Sequence, residues 1–152
     1  DPASRLLLDA VQHEDVNSIL DFASGVGALL ALGPKAECLH AVERDLFSIY
    51  ALKENVPNAK IHWSADWLLG EPIKFELVLS NPPIHDGKLE DYSVLSRLLA
   101  RGPEILTPNG KLVLVIQHRV PLNDMLQGLN YTASVLRKDR VFKVVSLNVK
   151  KP

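Results

Sequence analysis

Two hydrophobic periods alternate along this chain. Ser18–Phe22, Leu39–Glu43, Lys60–Trp63, Glu76–Ser80, Lys111–Gln117, Tyr131–Arg137 and Val141–Val149 are short apolar and β-branched runs that predict strands. Between them, apolar residues at helical spacing predict helices over Ala3–Gln12, Gly27–Leu32, Leu46–Asn55, Tyr92–Leu106 and Leu122–Leu129. The opening stretch "DPASRLLLDAVQ" already carries that pattern, with Leu6, Leu7, Ala10 and Val11 on one stripe. Such alternation builds βαβ units around a mainly parallel sheet. Leu112–Ile116 is apolar without interruption, as expected of a strand covered on both faces. The last two strands are separated only by a turn around Lys138-Asp139. A parallel crossover needs a dozen residues or so, which makes this pair an antiparallel hairpin.

The 152 residues suffice for one domain, 1–152, with a substantial core. The chain begins without Met and already in a helical pattern, as expected of a piece of a longer protein. With 17 Lys+Arg against 18 Asp+Glu, a nucleic-acid partner must meet a local basic patch. Arg137, Lys138, Arg140, Lys143, Lys150 and Lys151, opposed by Asp139, form such a patch, which reads either as a solvated hairpin or as an RNA phosphate contact. The 1 cysteine, Cys38, excludes an intrachain disulfide, and its apolar surroundings predict a buried thiol. No apolar run is long enough to span a bilayer and no secretory signal is visible, so the expected location is the cytoplasm. His13, His40, His62, His85 and His118 lack metal-ligand spacing, so no metal is expected.

Chemistry concentrates at two strand ends. "DFASGVGALL" passes from the first strand into a helix through Gly25 and Gly27, where glycine permits positive φ and close approach of a ligand. A tight turn alone explains a lone G-x-G equally well. Asp21 near the end of that strand and Glu43 at the end of the next add acceptors where a ribose-binding acid belongs in such a fold. The second site is "SNPPIHDG", Ser80 to Gly87. Two prolines stop the fourth strand and stiffen a loop that carries an asparagine. It is either a turn or a rigid mount for two acceptors.

The alternation ending in a hairpin resembles the class I S-adenosylmethionine-dependent methyltransferase fold: α/β, Rossmann-like, with a seven-stranded mostly parallel sheet and an antiparallel C-terminal hairpin strand. The loop is similar to that family's D-x-G-x-G-x-G, with Asp21, Gly25 and Gly27 matching and Ala23 replacing the first glycine. The resemblance implies S-adenosylmethionine as cofactor, held by Asp21, Ala23, Gly25 and Gly27. Glu43 would lie on the ribose hydroxyls, Asp66 on the adenine amino group, and Trp67 is a candidate apolar wall. Ser80-Asn81-Pro82-Pro83 stands where the family carries [DNS]-P-P-[YFW], the loop that methylates planar nitrogens. The longer match, Asn81-Pro82-Pro83-Ile84-His85-Asp86-Gly87, resembles bacterial small-subunit ribosomal RNA (guanine-N2)-methyltransferases, in which the catalytic domain is the C-terminal half.

That resemblance implies a catalytic Asn81, Pro82, Pro83 and Ile84, with His85 and Asp86 on the substrate side and RNA as partner. Ile84 departs from the pattern, occupying the place of an aromatic that stacks on the target base. Two other readings stay open: a degenerate domain binding RNA or protein without catalysis, and transfer to adenine N6 or a protein glutamine.

Overall fold

Period-two burial sets the layers of this α/β fold. In β1 (Ser18–Phe22), Leu20 and Phe22 join one apolar cluster and Ile19 joins the other, with the sheet between them. The computed structural model describes residues 1–64, 73–86 and 89–152. The other strands are β2 (Cys38–Glu43), β3 (Lys60–Trp63), β4 (Phe75–Ser80), β5 (His85–Asp86), β6 (Leu89–Glu90), β7 (Leu106–Gln117), β8 (Tyr131–Lys138) and β9 (Phe142–Val149). Five helices accompany them: α1 (Pro2–Val11), α2 (Ala28–Leu32), α3 (Leu46–Asn55), α4 (Ser93–Ile105) and α5 (Leu122–Met125).

Seven strands form one sheet in the order β3-β2-β1-β4-β7-β9-β8, and β9 alone runs antiparallel to its neighbours. The expected mostly parallel sheet with a closing hairpin is therefore observed. One face packs Leu7 and Val11 of α1, Leu29 and Leu30 of α2 and Leu52 of α3 on Leu77, Leu79, Val113 and Val115. The other packs Leu95, Leu98 and Leu99 of α4 on Val78, Leu112, Leu114 and Ile116.

Several expectations needed correction. The helix expected over Leu122–Leu129 stops at Met125, and the chain turns through Gly128 at φ 77, a conformation suited to glycine at a helix exit. The strand expected from Lys111 begins at Leu106. Its pairing with β4 jumps from Phe75↔Leu106 to Leu77↔Lys111, so Thr107-Pro108-Asn109-Gly110, a stretch of turn-forming residues, is a bulge within the strand. Cys38 is half-exposed, because it opens β2 at the sheet's amino edge. The small β5–β6 ribbon, paired His85↔Glu90 and Asp86↔Leu89, had no apolar signature to announce it.

Pro103 lies inside α4 and has no N–H for the Leu99 carbonyl. The Tyr131 hydroxyl donates to that carbonyl instead, at 2.5 Å. Gly102 makes room: a Cβ there would meet Tyr131 Oη at 2.1 Å. This arrangement seats α4 against the start of β8, and α4 in turn supplies a wall of the site.

Candidate active site

In a parallel sheet the loops at the carboxyl ends of the strands share one edge. Here they enclose a cleft of about 410 Å³. Phe22 and Ala23 line it from β1, Val42, Glu43 and Arg44 from β2, and Ser64 from β3. Asn81, Pro82 and Pro83 close it from β4, with Val94 of α4 opposite. The glycine loop, through Ala23, and the distant Asn-Pro-Pro loop thus face one space. The Ser80 hydroxyl donates to the Phe22 carbonyl at 2.6 Å, tying the ends of β4 and β1 together in the buried layer.

The glycine loop alternates backbone hand. Ala23 sits at φ 58, Gly25 at φ 53 and Gly27 at φ 85. A Cβ on Gly25 would meet nothing within 4 Å, so open space lies above it. A Cβ on Gly27 would meet Leu52 Cδ1 at 2.4 Å, so that glycine is required by the close packing of α3. Ala23 is the one non-glycine at positive φ among the described residues. An L-residue there costs about 1–2 kcal/mol. Ala23→Gly is expected to raise the melting temperature by about 2–4 °C, the shift that about 1 kcal/mol produces in a chain of this size. An unchanged or lower melting temperature in differential scanning calorimetry would count against strain at Ala23.

Glu43 is the clamp between β1 and β2. Its Oε1 accepts from the Arg44 and Asp45 N–H groups, both at 2.8 Å, and its Oε2 accepts from the Gly25 N–H at 2.6 Å. A carboxylate has about four lone-pair positions. Three are used on the backbone, which leaves Oε2 room for a single hydroxyl donor rather than a pair.

Asp21 lies one residue before the cleft wall and is fully buried. Both its oxygens, and the Ser24 hydroxyl, have no hydrogen-bond partner among the described residues. Burial pushes the Asp21 carboxyl well above the usual carboxylate range, and the Glu43 charge adds to the effect. An acid whose folded-state pKa is raised binds its proton longer in the native state. Stability of the ligand-free protein therefore falls as pH climbs from the ordinary Asp value through the raised one. Asp21→Asn removes that titration. The melting temperatures of variant and wild type are expected to coincide at acid pH and to diverge in the variant's favour as pH rises. Parallel pH profiles would contradict this.

Asn81 is held from below. Its Nδ2 donates to Asp1 Oδ2 at 3.0 Å and to Ser4 Oγ at 3.1 Å. Asp1 is the N-cap of α1: it accepts from the Ala3 N–H at 3.0 Å and from the Ser4 hydroxyl at 2.7 Å. A carboxylate only accepts, which fixes which end of the amide faces it. Both Asn81 N–H bonds are engaged, and Oδ1 is the atom left to accept a donor from the cleft.

Pro82 is buried and Pro83 exposed. Ile84 is half-buried and packs against the apolar cluster beneath α4. His85 and Asp86 form β5, while Asp66, Trp67 and Gly87 lie outside the described residues. Arg44, Ser64 and Val94 had carried no signal in the sequence, because each lines the cleft through a loop or helix position with no motif. Among the described residues no group of three or more His, Cys, Asp or Glu side chains could hold a metal ion, and no helix is long and apolar enough to cross a membrane.

The donor set fits a ligand with an amino-acid end and a ribose. An unpartnered buried acid lies beneath the loop, and the open space beside Gly25 adjoins the remaining acceptor position of Glu43 Oε2, 2.6 Å from the Gly25 nitrogen. Sheet order, glycine loop and acidic β2 terminus together define a methyltransferase fold. The chain belongs to the methyltransferase small domain family, whose model matches residues 1–146.

Among its relatives, ribosomal RNA small subunit methyltransferase C of Chromohalobacter salexigens is 31% identical over 130 residues, 83% of this chain and 39% of the relative. The protein of the same name from Pseudoalteromonas translucida is 30% identical over 152 residues, 96% of this chain and 45% of the relative. The chain thus spans less than half the length of these curated relatives. A T. thermophilus 16S rRNA N2 methyltransferase solved with AdoMet and guanosine superposes with a TM-score of 0.81 and 29% identity, covering 99% of this chain and 43% of that one. A methyltransferase from Pyrococcus furiosus, at 20% identity and a TM-score of 0.76 over 96% of this chain and 81% of its own, shares the fold.

Proposed function

We propose that this chain is an S-adenosylmethionine-dependent methyltransferase domain acting on an exocyclic amino group of RNA, guanine N2 of small-subunit ribosomal RNA, in the cytoplasm. The observation that carries the reading is the orientation of Asn81. With both of its N–H bonds on Asp1 and Ser4, it offers the cleft an acceptor and nothing else. An acceptor selects a substrate that donates, as an amino group does. The relatives' names and the guanosine-bound structure support guanine among amino-bearing substrates.

When bound, the cofactor supplies an electrophilic methyl group on a sulfonium. The chain's own part is to hold the nucleophile. An exocyclic amine is weakly nucleophilic because its lone pair is delocalised into the ring. Asn81 Oδ1 and the Pro82 carbonyl can each accept one N–H bond, which aims the lone pair and favours the more tetrahedral transition state. Pro82 and Pro83 stiffen the two acceptors. Asp21, Ala23, Gly25, Gly27 and Glu43 are assigned to the cofactor, with Asp66 and Trp67 on its adenine side. His85 and Asp86 are assigned to the substrate.

Ile84 offers the base an apolar surface without a π face. Base–aromatic stacking is worth roughly 1–3 kcal/mol. The experiment is single-turnover methyl transfer to undermethylated small ribosomal subunits at saturating cofactor. Wild type is expected to transfer measurably and Ile84→Phe to gain up to about tenfold in kcat/KM. No transfer by either protein would replace the enzyme by a non-catalytic binding domain.

A further inference from the structure

The six cations of the terminal hairpin do not form one patch. The sheet register divides them. Lys143 pairs with Ile116 on one side and with Lys138 on the other. The row they share lies two residues beyond the row that pairs Ser80 with Leu114, and so stands level with Pro82. Arg137, Lys138, Arg140 and Lys143 therefore sit at the carboxyl edge, the edge that carries the cleft. Three strand spacings, about 14 Å, separate β8 from β4. Lys150 and Lys151 follow β9 at the opposite edge, where Lys151 Nζ donates to Asn109 Oδ1 at 2.9 Å.

At the carboxyl edge cations outnumber acids, four to one. Arg137, Lys138 and Arg140 are exposed, Lys143 is half-buried, and none of the four has an ion pair or side-chain hydrogen bond among the described residues. The one acid of the hairpin, Asp139, spends its Oδ1 on the Val141 and Phe142 N–H groups, both at 2.7 Å. Those backbone bonds hold its carboxyl below the usual carboxylate range. The surface is concave: His118, Arg137, Lys138 and Lys143 line a hollow of about 600 Å³ with Val135 and Leu136. From Thr132 to Lys138 every residue of β8 is exposed, on both faces of the strand. Four cations against the single carboxylate of Asp139 leave this end of the hairpin net positive, which suits a chain of phosphates.

We infer that the carboxyl-edge half of the β8–β9 hairpin, through Arg137, Lys138, Arg140 and Lys143, contacts phosphates of the RNA whose target base enters the cleft. The inference deepens the RNA reading above and rests on it. Nucleotides flanking a base held at Asn81 would lie across β7 and β9 and meet these side chains. Lys150 and Lys151 point to the far edge and take no part.

The probe is a short labelled single-stranded RNA of mixed sequence, its Kd measured at increasing KCl. Each single-strand phosphate contact contributes about 0.7 to the slope of log Kd against log salt. Lys138→Gln with Arg140→Gln is expected to flatten the slope by about 1.4 and weaken binding at low salt. Lys150→Gln with Lys151→Gln removes the same net charge and is expected to leave slope and Kd as in wild type. Equal slope losses in both pairs would reduce the effect to general charge and overturn the assignment, as would no loss in either. A wild type that binds no RNA even at low salt would instead remove the RNA reading on which the inference stands. Unchanged melting temperatures would confirm that both variants keep the fold.

Discussion

Asn81→Ala is expected to lower turnover by about a hundredfold or more, the cost seen when one well-aimed polar contact is removed from a transition state. Cofactor affinity should hardly change. The reason lies in the geometry of the amide: its nitrogen is engaged by Asp1 and Ser4, which leaves its oxygen as the atom to accept a donor. Alanine removes the acceptor and leaves the Asp1–Ser4 bond of the α1 cap in place. Ser4→Ala tests the same geometry more gently. It frees one Asn81 N–H, and a bond worth about 1 kcal/mol corresponds to roughly fivefold in rate. A full-rate Asn81→Ala protein, measured at saturating cofactor, would reduce the Asn-Pro-Pro loop to a turn.

Gly25→Val should abolish binding of S-adenosylmethionine, read by calorimetry as the absence of a heat signal. A Cβ at Gly25 meets no atom within 4 Å, so on the proposed reading the branched side chain stands where the ligand would approach. Its backbone φ of 53 adds strain of order 1–3 kcal/mol, which the folded chain must tolerate. Gly25→Ala separates the two effects, because it carries backbone strain with far less bulk. Binding that is weakened in Ala and lost in Val fits obstruction. Equal affinity in wild type and a folded Val variant would remove the cofactor from this loop.

The architecture was readable because its signals are periodic. Alternating strands and helices, and a hairpin too short for a crossover, fix a parallel sheet with one antiparallel strand before any contact is known. The cleft was half readable. Asp21, Glu43 and Asn81 stand at strand ends with motifs around them, whereas Arg44, Ser64 and Val94 reach the same space without one. The clamp on Asn81 joins positions far apart in the chain, and no local pattern connects Asp1 with a loop after the fourth strand. Glu43 was legible as an acid at the right place. That three of its acceptor positions are used on backbone N–H groups is a property of the folded loop. The basic hairpin misled in another way: six neighbours in sequence fall on two opposite edges of the sheet, because a strand carries Lys143 and Lys150 about 23 Å apart.

The central claim is transfer of a methyl group to an exocyclic amine, and product identity tests it most directly. Undermethylated small ribosomal subunits would be incubated with the chain and methyl-labelled S-adenosylmethionine, then digested to nucleosides and separated. The account predicts label in N2-methylguanosine, and its loss with Asn81→Ala. Label confined to ring carbon or ribose, or no label from a chain shown to bind the cofactor, would contradict it.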